Sequence, residues 1–445
     1  MRSNRVAPVA IIGGGASGTI IAAQLARRDI ESVLIEGRRR VGKGIAYSTM
    51  EAAHLLNVCA DGMSAWAGDP DHFARRCMAE GGEGDDFAER RFFGRYLGEI
   101  LQEAIASGNT RVIDGLAVGA DRHAGRWQIH LDGGAVVEAS GLVLAIGNQE
   151  PDTPRALVNA GPHLIDNPWG EDAAAAVREL SAEGGNALII GTGLTMVDLV
   201  LSLDAGGFEG RILALSRRGQ VPRSHADFDL VPVAQDDVPH GNVRALWRWL
   251  RRQSARVGWR AAVDSLRPHS HALWQSFDEE EQRRFLRHAR PWWDVHRHRI
   301  APQVAATVAR AVSEGRMEVI AGKIVSARQS GQGIDVEVRR RGAEGSQTMH
   351  FDYAFNCTGP LHAMSHTKDR LLRSLLDAGE VRPDQLDIGI AVDDHARVAG
   401  AERLWALGPL TKGRYWEIIA VPDIREQAAA VADDIERELA NERTW

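Results

Sequence analysis

Val9-Ala10-Ile11-Ile12-Gly13-Gly14-Gly15-Ala16-Ser17-Gly18 is a short apolar run that turns into a glycine-rich loop. The run reads as a buried strand, and the residues after the glycines as the start of a helix. Gly13, Gly15 and Gly18 keep the GxGxxG spacing. The first glycine permits a tight turn, the second lets backbone N–H groups approach a pyrophosphate, and the third allows close packing of helix on strand. A dinucleotide would sit at that helix N-terminus, where unpaired N–H groups and the helix dipole favour an anion. The surroundings agree. Thr19 to Arg28 is amphipathic, and Ser32-Val33-Leu34-Ile35 is a second apolar run ending in Glu36. That carboxylate stands about 20 residues beyond the loop, where an acid accepts hydrogen bonds from ribose hydroxyls. It also repels a 2′-phosphate, which favours FAD or NAD over NADP. The alternative is an ordinary strand, turn and helix with a surface glutamate.

Ala187-Leu188-Ile189-Ile190-Gly191-Thr192-Gly193-Leu194-Thr195-Met196 is again an apolar run entering GxG, with Met196 at the third glycine position. A bulky side chain there is expected to space the helix from the strand and weaken the motif. The next apolar run, Arg211-Ile212-Leu213-Ala214-Leu215, ends in Ser216-Arg217-Arg218 instead of an acid. A hydroxyl and two guanidiniums suit a 2′-phosphate, so Gly191, Thr192, Gly193, Thr195, Arg217 and Arg218 are expected to bind NADPH. The competing reading is an exposed basic turn.

The chain repeats itself around these loops. A helix over 91–106, a strand at Arg111-Val112-Ile113, a hairpin turning at Asp132-Gly133 and a strand Leu142–Ile146 ending in Gly147-Asn148 are replayed over 301–357. There a helix from about Ala301 leads to Glu318-Val319-Ile320, a hairpin through Ser330-Gly331, and a strand Tyr353–Cys357 before Thr358-Gly359-Pro360. Between about 236 and 315 the pattern changes to helices rich in Arg, His and Trp, with six of the twelve tryptophans. Val243, Leu246, Trp247 and Leu250 share one helical face and Arg244, Arg248, Arg251 and Arg252 the other. Trp293, Arg297 and His298, in Trp292–Arg299, are dense enough in hydrogen-bonding groups to line a pocket for an acidic substrate or the nicotinamide phosphates. The alternative is a plain basic helix surface. Near the C-terminus, Arg403–Leu407 enters Gly408-Pro409-Leu410, and Val421-Pro422 opens a helix whose N-terminus is expected to point at a flavin.

At 445 residues the chain exceeds one ordinary core. The expected architecture is α/β, with two Rossmann-like dinucleotide-binding domains, the second inserted into the first and carrying a helical insert. The boundaries are 1–155 and 361–445 for the FAD-binding domain, and 156–360 for the NADPH-binding domain with its insert at about 236–315. A composition of 44% hydrophobic and 25% charged residues is that of a globular protein. No apolar run approaches the 18 or so residues needed to cross a bilayer. Met1–Arg5 leads straight into the first strand, leaving no room for a signal peptide, so a cytoplasmic location is expected. Cys59, Cys77 and Cys357 form no CxxC or metal-ligand spacing and read as buried free thiols, with no metal. The net charge of −7 gives no general attraction to nucleic acid. The loop Gly37–Tyr47 carries Arg38-Arg39-Arg40, which either meets the adenosine or pyrophosphate or is a solvated connection.

With these residues assembled, the chain resembles the two-dinucleotide-binding-domain flavoproteins, which include flavin monooxygenases, amine N-hydroxylases and pyridine-nucleotide disulfide reductases. Gly44-Ile45-Ala46-Tyr47, His54–Val58, Met63-Ser64, Trp293–Arg299 and Gly408–Leu410 look more narrowly like the YdhS-like FAD/NAD(P)-binding proteins. The resemblance implies FAD contacts at Gly13, Gly15, Ser17, Gly18, Glu36, Gly408, Pro409 and Leu410, with Asn57 and Ser64 lining the flavin ring. Two departures narrow the chemistry. No CxxxxC pair is present for dithiol exchange, and the FxGxxxH pattern of carbonyl-oxygenating flavoenzymes is absent between the glycine loops. The expected function is an NADPH-dependent FAD oxidoreductase. Its leading version is a monooxygenase that uses dioxygen to N-hydroxylate a small soluble amine or amino acid. The alternatives are an FAD-dependent dehydrogenase or reductase that passes electrons to an acceptor without oxygen insertion, and a flavin-binding module without turnover.

Overall fold

The computed structural model describes residues 7–37, 41–361 and 363–442. The basic run Arg38-Arg39-Arg40 lies outside them. Two sheets organise the molecule. In the first, five parallel strands lie in the order Leu404–Ala406, Gly141–Leu144, Val9–Ile12, Ser32–Glu36 and Thr110–Asp114. Val9, Ala10 and Ile11 are all buried. That is why this strand reads as an unbroken apolar run instead of alternating: a parallel sheet is covered on both faces.

One face carries the helix Ala16–Ala26, wedged between the helices Arg90–Ala106 and Val421–Glu442, with Ile20, Leu25, Leu97 and Val431 in a shared core. The other face packs against a three-stranded antiparallel meander, Ala117–His123, Arg126–Leu131 and Val136–Ala139, and the helix Arg370–Asp377.

The second sheet has seven strands, in the order Gln347–Phe351, Gly333–Arg340, Met317–Ser330, Arg211–Ser216, Asn186–Ile190, Tyr353–Asn356 and Leu164–Ile165. Its centre is parallel, and the first two pairings are antiparallel hairpins. Helices Glu171–Glu183, Leu194–Ala205 and Pro302–Ser313 cover one face. The repeat read in the sequence is present with one difference. In the first copy the third parallel strand stops at Asp114 and the meander restarts at Ala117, whereas in the second one strand, Met317–Ser330, serves both purposes. Its register shifts between Ile324 and Ser326, bending it out of the parallel sheet and into the hairpin.

Between Arg211–Ser216 and Pro302–Ser313 the chain forms short helices over residues 243–297. They have their own core of Trp249, Trp274, Phe277, Phe285 and Trp293, joined by Trp416 from the C-terminal part of the chain. The helix Val243–Val257 is capped by Asn242, whose side chain accepts the Ala245 N–H at 2.9 Å. Arg244, Arg248, Arg251 and Arg252 are exposed. Trp249 is buried while Trp247 is half-buried at the edge of the same cluster. No helix of the described residues is long and apolar enough to cross a membrane.

Candidate dinucleotide sites and the groups around them

The first glycine loop is shaped by close approaches that only glycine allows. Gly13 has φ of +104°, and a Cβ there would fall 2.5 Å from the carbonyl oxygen of Ala145. A Cβ on Gly18 would fall 1.8 Å from the carbonyl oxygen of Gly13, so the helix is seated directly on the turn. Gly15 is more open, and a Cβ there would meet the Cα of Gly44 at 3.5 Å and nothing closer. Glu36 accepts the N–H of Gly14 at 2.8 Å, which fixes its carboxylate beside the loop. On the other side, the Gly408 turn (φ +64°) presses on the helix N-terminus, and a Cβ at Gly408 would lie 2.8 Å from Ser17 Oγ. Gln427 holds this turn by accepting the Gly408 N–H at 2.8 Å and donating to Thr411 Oγ1 at 3.0 Å. Gly13, Gly15, Ser17, Gly18, Glu36 and Gly408–Leu410 are therefore brought together around one helix N-terminus. The short backbone approaches, the N–H groups and the ribose-height carboxylate fit the ADP half of a dinucleotide.

The second loop repeats this geometry. Gly191 has φ of +112°, and its Cβ would fall 2.1 Å from the carbonyl oxygen of Cys357. Its N–H donates to Leu215 O at 2.8 Å, as that of Gly13 does to Ile35 O at 3.0 Å. Met196 is fully buried in the core beneath the helix, so its side chain is not in the way of a ligand at the loop, and the turn keeps its hydrogen bond. Thr192 donates to Ser216 Oγ at 2.8 Å, and Ser216 accepts the Gly219 N–H at 2.9 Å. Arg217 is exposed at this strand end. Arg218 is partly committed elsewhere, donating to the carbonyls of Arg287 and His288 in the helical insert.

A cleft of about 760 Å³ opens beside this loop, between helices Glu171–Glu183 and Leu194–Ala205 and the segment from Ile45 to His54. Of the expected nucleotide residues only Thr195 lines it. Its floor ties the two sheets together. Arg90 pairs with Asp198 at 2.8 Å with both side chains buried, and His54 Nε2 lies 3.0 Å from both Asp198 O and Ser202 Oγ.

Three expectations around the ring site need correction. Ser64 has no exposed surface. Its hydroxyl donates to Asp69 O at 2.6 Å and accepts the Trp66 N–H at 3.1 Å, so it braces a turn and does not line an open site. Trp293 and Arg297 both meet Glu417, the first by a hydrogen bond and the second by an ion pair through Nε. The indole N–H donates to Oε1 at 2.7 Å, and Arg297 Nε lies 2.9 Å from Oε2 with both side chains nearly buried. They join the insert to the segment before Val421, and the cavity that Trp293 lines, with Leu250, Trp274, Phe277 and Trp416, is apolar and not one for an acidic substrate. Third, Cys59 is half-buried, while Cys77 and Cys357 are buried, and all three are unpaired. His298 sits beside Glu417, and burial pushes its imidazole below the ordinary range. Asn57 is half-buried, and its carbonyl accepts from His225 Nε2 at 3.0 Å, which links the 54–66 loop to the insert side. Glu417 is the residue that sequence reasoning missed. The only signal was a single acid in the aromatic and aliphatic run Tyr415–Ile419.

Residues 10–149 match the family model described as FAD-NAD(P)-binding. No curated protein sequence matches the chain. Among solved structures it is similar to the reduced ornithine hydroxylase PvdA from Pseudomonas aeruginosa, with 15% identity, a TM-score of 0.66, and coverage of 98% of this chain and 100% of that one. L-lysine 6-monooxygenase from Pseudomonas syringae gives 18% identity and a TM-score of 0.68 over 97% and 99% of the two chains. Thioredoxin reductase from Lactococcus lactis gives 14% and 0.55 over 97% and 99%. The chain has the fold of the two-dinucleotide-binding flavoproteins, and its first unit is an FAD/NAD(P)-binding domain.

Proposed function

We propose that this two-dinucleotide flavoprotein is an NADPH-dependent monooxygenase that N-hydroxylates a small amine or amino acid. The observation that carries the reading is the pair of matched glycine loops with unlike groups behind them, Glu36 at the first and Ser216-Arg217-Arg218 at the second. The first then holds FAD through Gly13, Gly15, Ser17, Gly18, Glu36 and the Gly408–Leu410 turn. The second holds NADPH through Gly191, Thr192, Gly193, Thr195, Arg217 and Arg218. The domain organisation proposed with this reading is 1–155 and 361–445 around FAD, with 156–360 around NADPH. When bound, FAD supplies hydride acceptance from the nicotinamide and reactivity toward dioxygen. The chain supplies position and charge. Glu36 repels a 2′-phosphate from the first site, and the exposed guanidinium of Arg217 attracts one at the second.

Oxygen insertion is favoured over thiol chemistry by the cysteines. Burial pushes the thiols of Cys59 and Cys77 up to about 11 and that of Cys357 higher still, so none is poised as a thiolate near neutral pH. The hydroxylase and the lysine monooxygenase among the fold's relatives agree with this version. The likeness to thioredoxin reductase supports the second reading, electron transfer to an acceptor without oxygen insertion.

The test is a spectrum of the purified protein before and after anaerobic NADPH, followed by aerobic turnover with a panel of amines and amino acids. The expected result is flavin bleaching by NADPH and a hydroxylated product. Hydrogen peroxide as the sole product with every amine, together with anaerobic turnover on an artificial acceptor, would favour the second reading.

A further inference from the structure

Ends of three strands meet at one small cavity. Asn148 follows the strand Gly141–Leu144, Leu361 follows Tyr353–Asn356 of the second sheet, and Leu410 follows Leu404–Ala406, and all three line it together with Lys412. Beyond the carboxyl ends of strands is where open α/β sheets hold their ligands. The Gly408–Thr411 turn presses on Ser17 of the first dinucleotide loop at its start and delivers Lys412 to this junction at its end. Lys412 Nζ donates to Asn148 Oδ1 at 3.1 Å. Asn148 is exposed to the opening and Lys412 is half-buried, so both remain within reach of a ligand.

The charged groups facing Lys412 are Arg290 and Asp294 of the helical insert. No carboxylate among the described residues lies within ion-pairing distance of it. Burial, reinforced by Arg290 and partly offset by Asp294, pushes the ammonium down to about 8. A cation in this position is short of negative charge until a ligand brings some.

We propose that Lys412, oriented by Asn148, faces the redox end of the bound dinucleotides and balances the negative charge that reduction places there. The inference rests on the reading of the first loop as an FAD site, and it holds for either fate of the electrons.

Two measurements test it on the full chain. The first is amine labelling of Lys412 as a function of pH, mapped by peptide mass spectrometry, in the apoprotein, with FAD, and with FAD reduced by dithionite. Labelling is expected to titrate near 8 in the apoprotein, with the midpoint rising by about one unit or more on reduction, as a nearby opposite charge causes. The second is the ratio of affinities for reduced and oxidised FAD. Lys412→Met is expected to lower that ratio about tenfold, the equivalent of one unit, and Lys412→Arg to restore most of it. An unshifted titration with an unchanged ratio in Lys412→Met overturns the inference while leaving the FAD site standing. A wild-type protein that binds no FAD overturns both.

Discussion

Glu36 and Ser216 occupy the same place in the two sheets, each ending the strand beside a glycine loop. Glu36 accepts the Gly14 N–H at 2.8 Å, and Ser216 accepts the Thr192 hydroxyl at the same distance. The two loops thus share a hydrogen-bonded turn and differ in charge. Replacing a carboxylate by a hydroxyl removes the repulsion of a 2′-phosphate, and Arg217 adds an attraction.

This difference predicts cofactor choice. A charge-assisted hydrogen bond to a phosphate contributes about 1.5–3 kcal/mol, so Arg217→Ala is expected to lower kcat/KM for NADPH by roughly tenfold or more and to leave NADH unchanged. Ser216→Glu is expected to go further and reverse the preference. If both variants keep the NADPH to NADH ratio of the wild type, the 2′-phosphate does not sit at this strand end.

The glycines of the second loop separate folding from binding. Gly191 has φ of +112° and no room for a Cβ, which would lie 2.1 Å from Cys357 O. Gly191→Ala is expected to destabilise the protein by more than about 1 kcal/mol. A Cβ on Gly193 meets nothing within 4 Å. It stands on the open side of the helix N-terminus, where the pyrophosphate is expected. Gly193→Ala is therefore expected to leave the thermal midpoint close to that of the wild type and to weaken NADPH binding, measured by titration of the oxidised protein.

Much of this was legible in the sequence because it is local. A glycine loop, the strand before it and the residue ending the next strand lie within a few dozen positions, and their spacing follows from backbone geometry. The internal repeat was legible for the same reason. The ring site was not, because its contacts are distant in sequence. Trp293 and Arg297 look like free polar groups until Glu417 arrives from more than a hundred residues away. Ser64 is different, since Asp69 O and Trp66 N close on its hydroxyl from five and two residues away in a turn whose hydrogen bonds no glycine spacing announces. Met196 stands where the first loop has Gly18, and the motif alone does not reveal that its side chain is buried in the core.

The buried Arg90–Asp198 pair fastens the first unit to the second unit's helix Leu194–Ala205. Removing one partner leaves an uncompensated buried charge, at a cost of about 3–5 kcal/mol. Asp198→Ala is expected to lose stability of this order in urea unfolding, while the double variant Arg90→Met/Asp198→Leu recovers most of it. A double variant as unstable as the single one would mean that packing, and not the stranded arginine, sets the loss.

Acid sensitivity follows from two histidines. Burial depresses the imidazoles of His225 and His298 below the ordinary value of 6.5. Arg299 pushes His225 the same way, while Glu417 pulls His298 partly back. A group whose folded value lies below its unfolded one binds fewer protons when folded, so stability rises with pH across the gap between the two. The contribution is present above about 6.5 and is lost as pH falls through the depressed range. The urea midpoint is accordingly expected to drop between pH 7.5 and 5.5. In His225→Gln, which keeps an N–H donor for the Asn57 carbonyl but does not titrate, the drop is expected to be smaller. An equal drop in wild type and variant would show that His225 is not charged on unfolding in this window and that the acid sensitivity lies elsewhere.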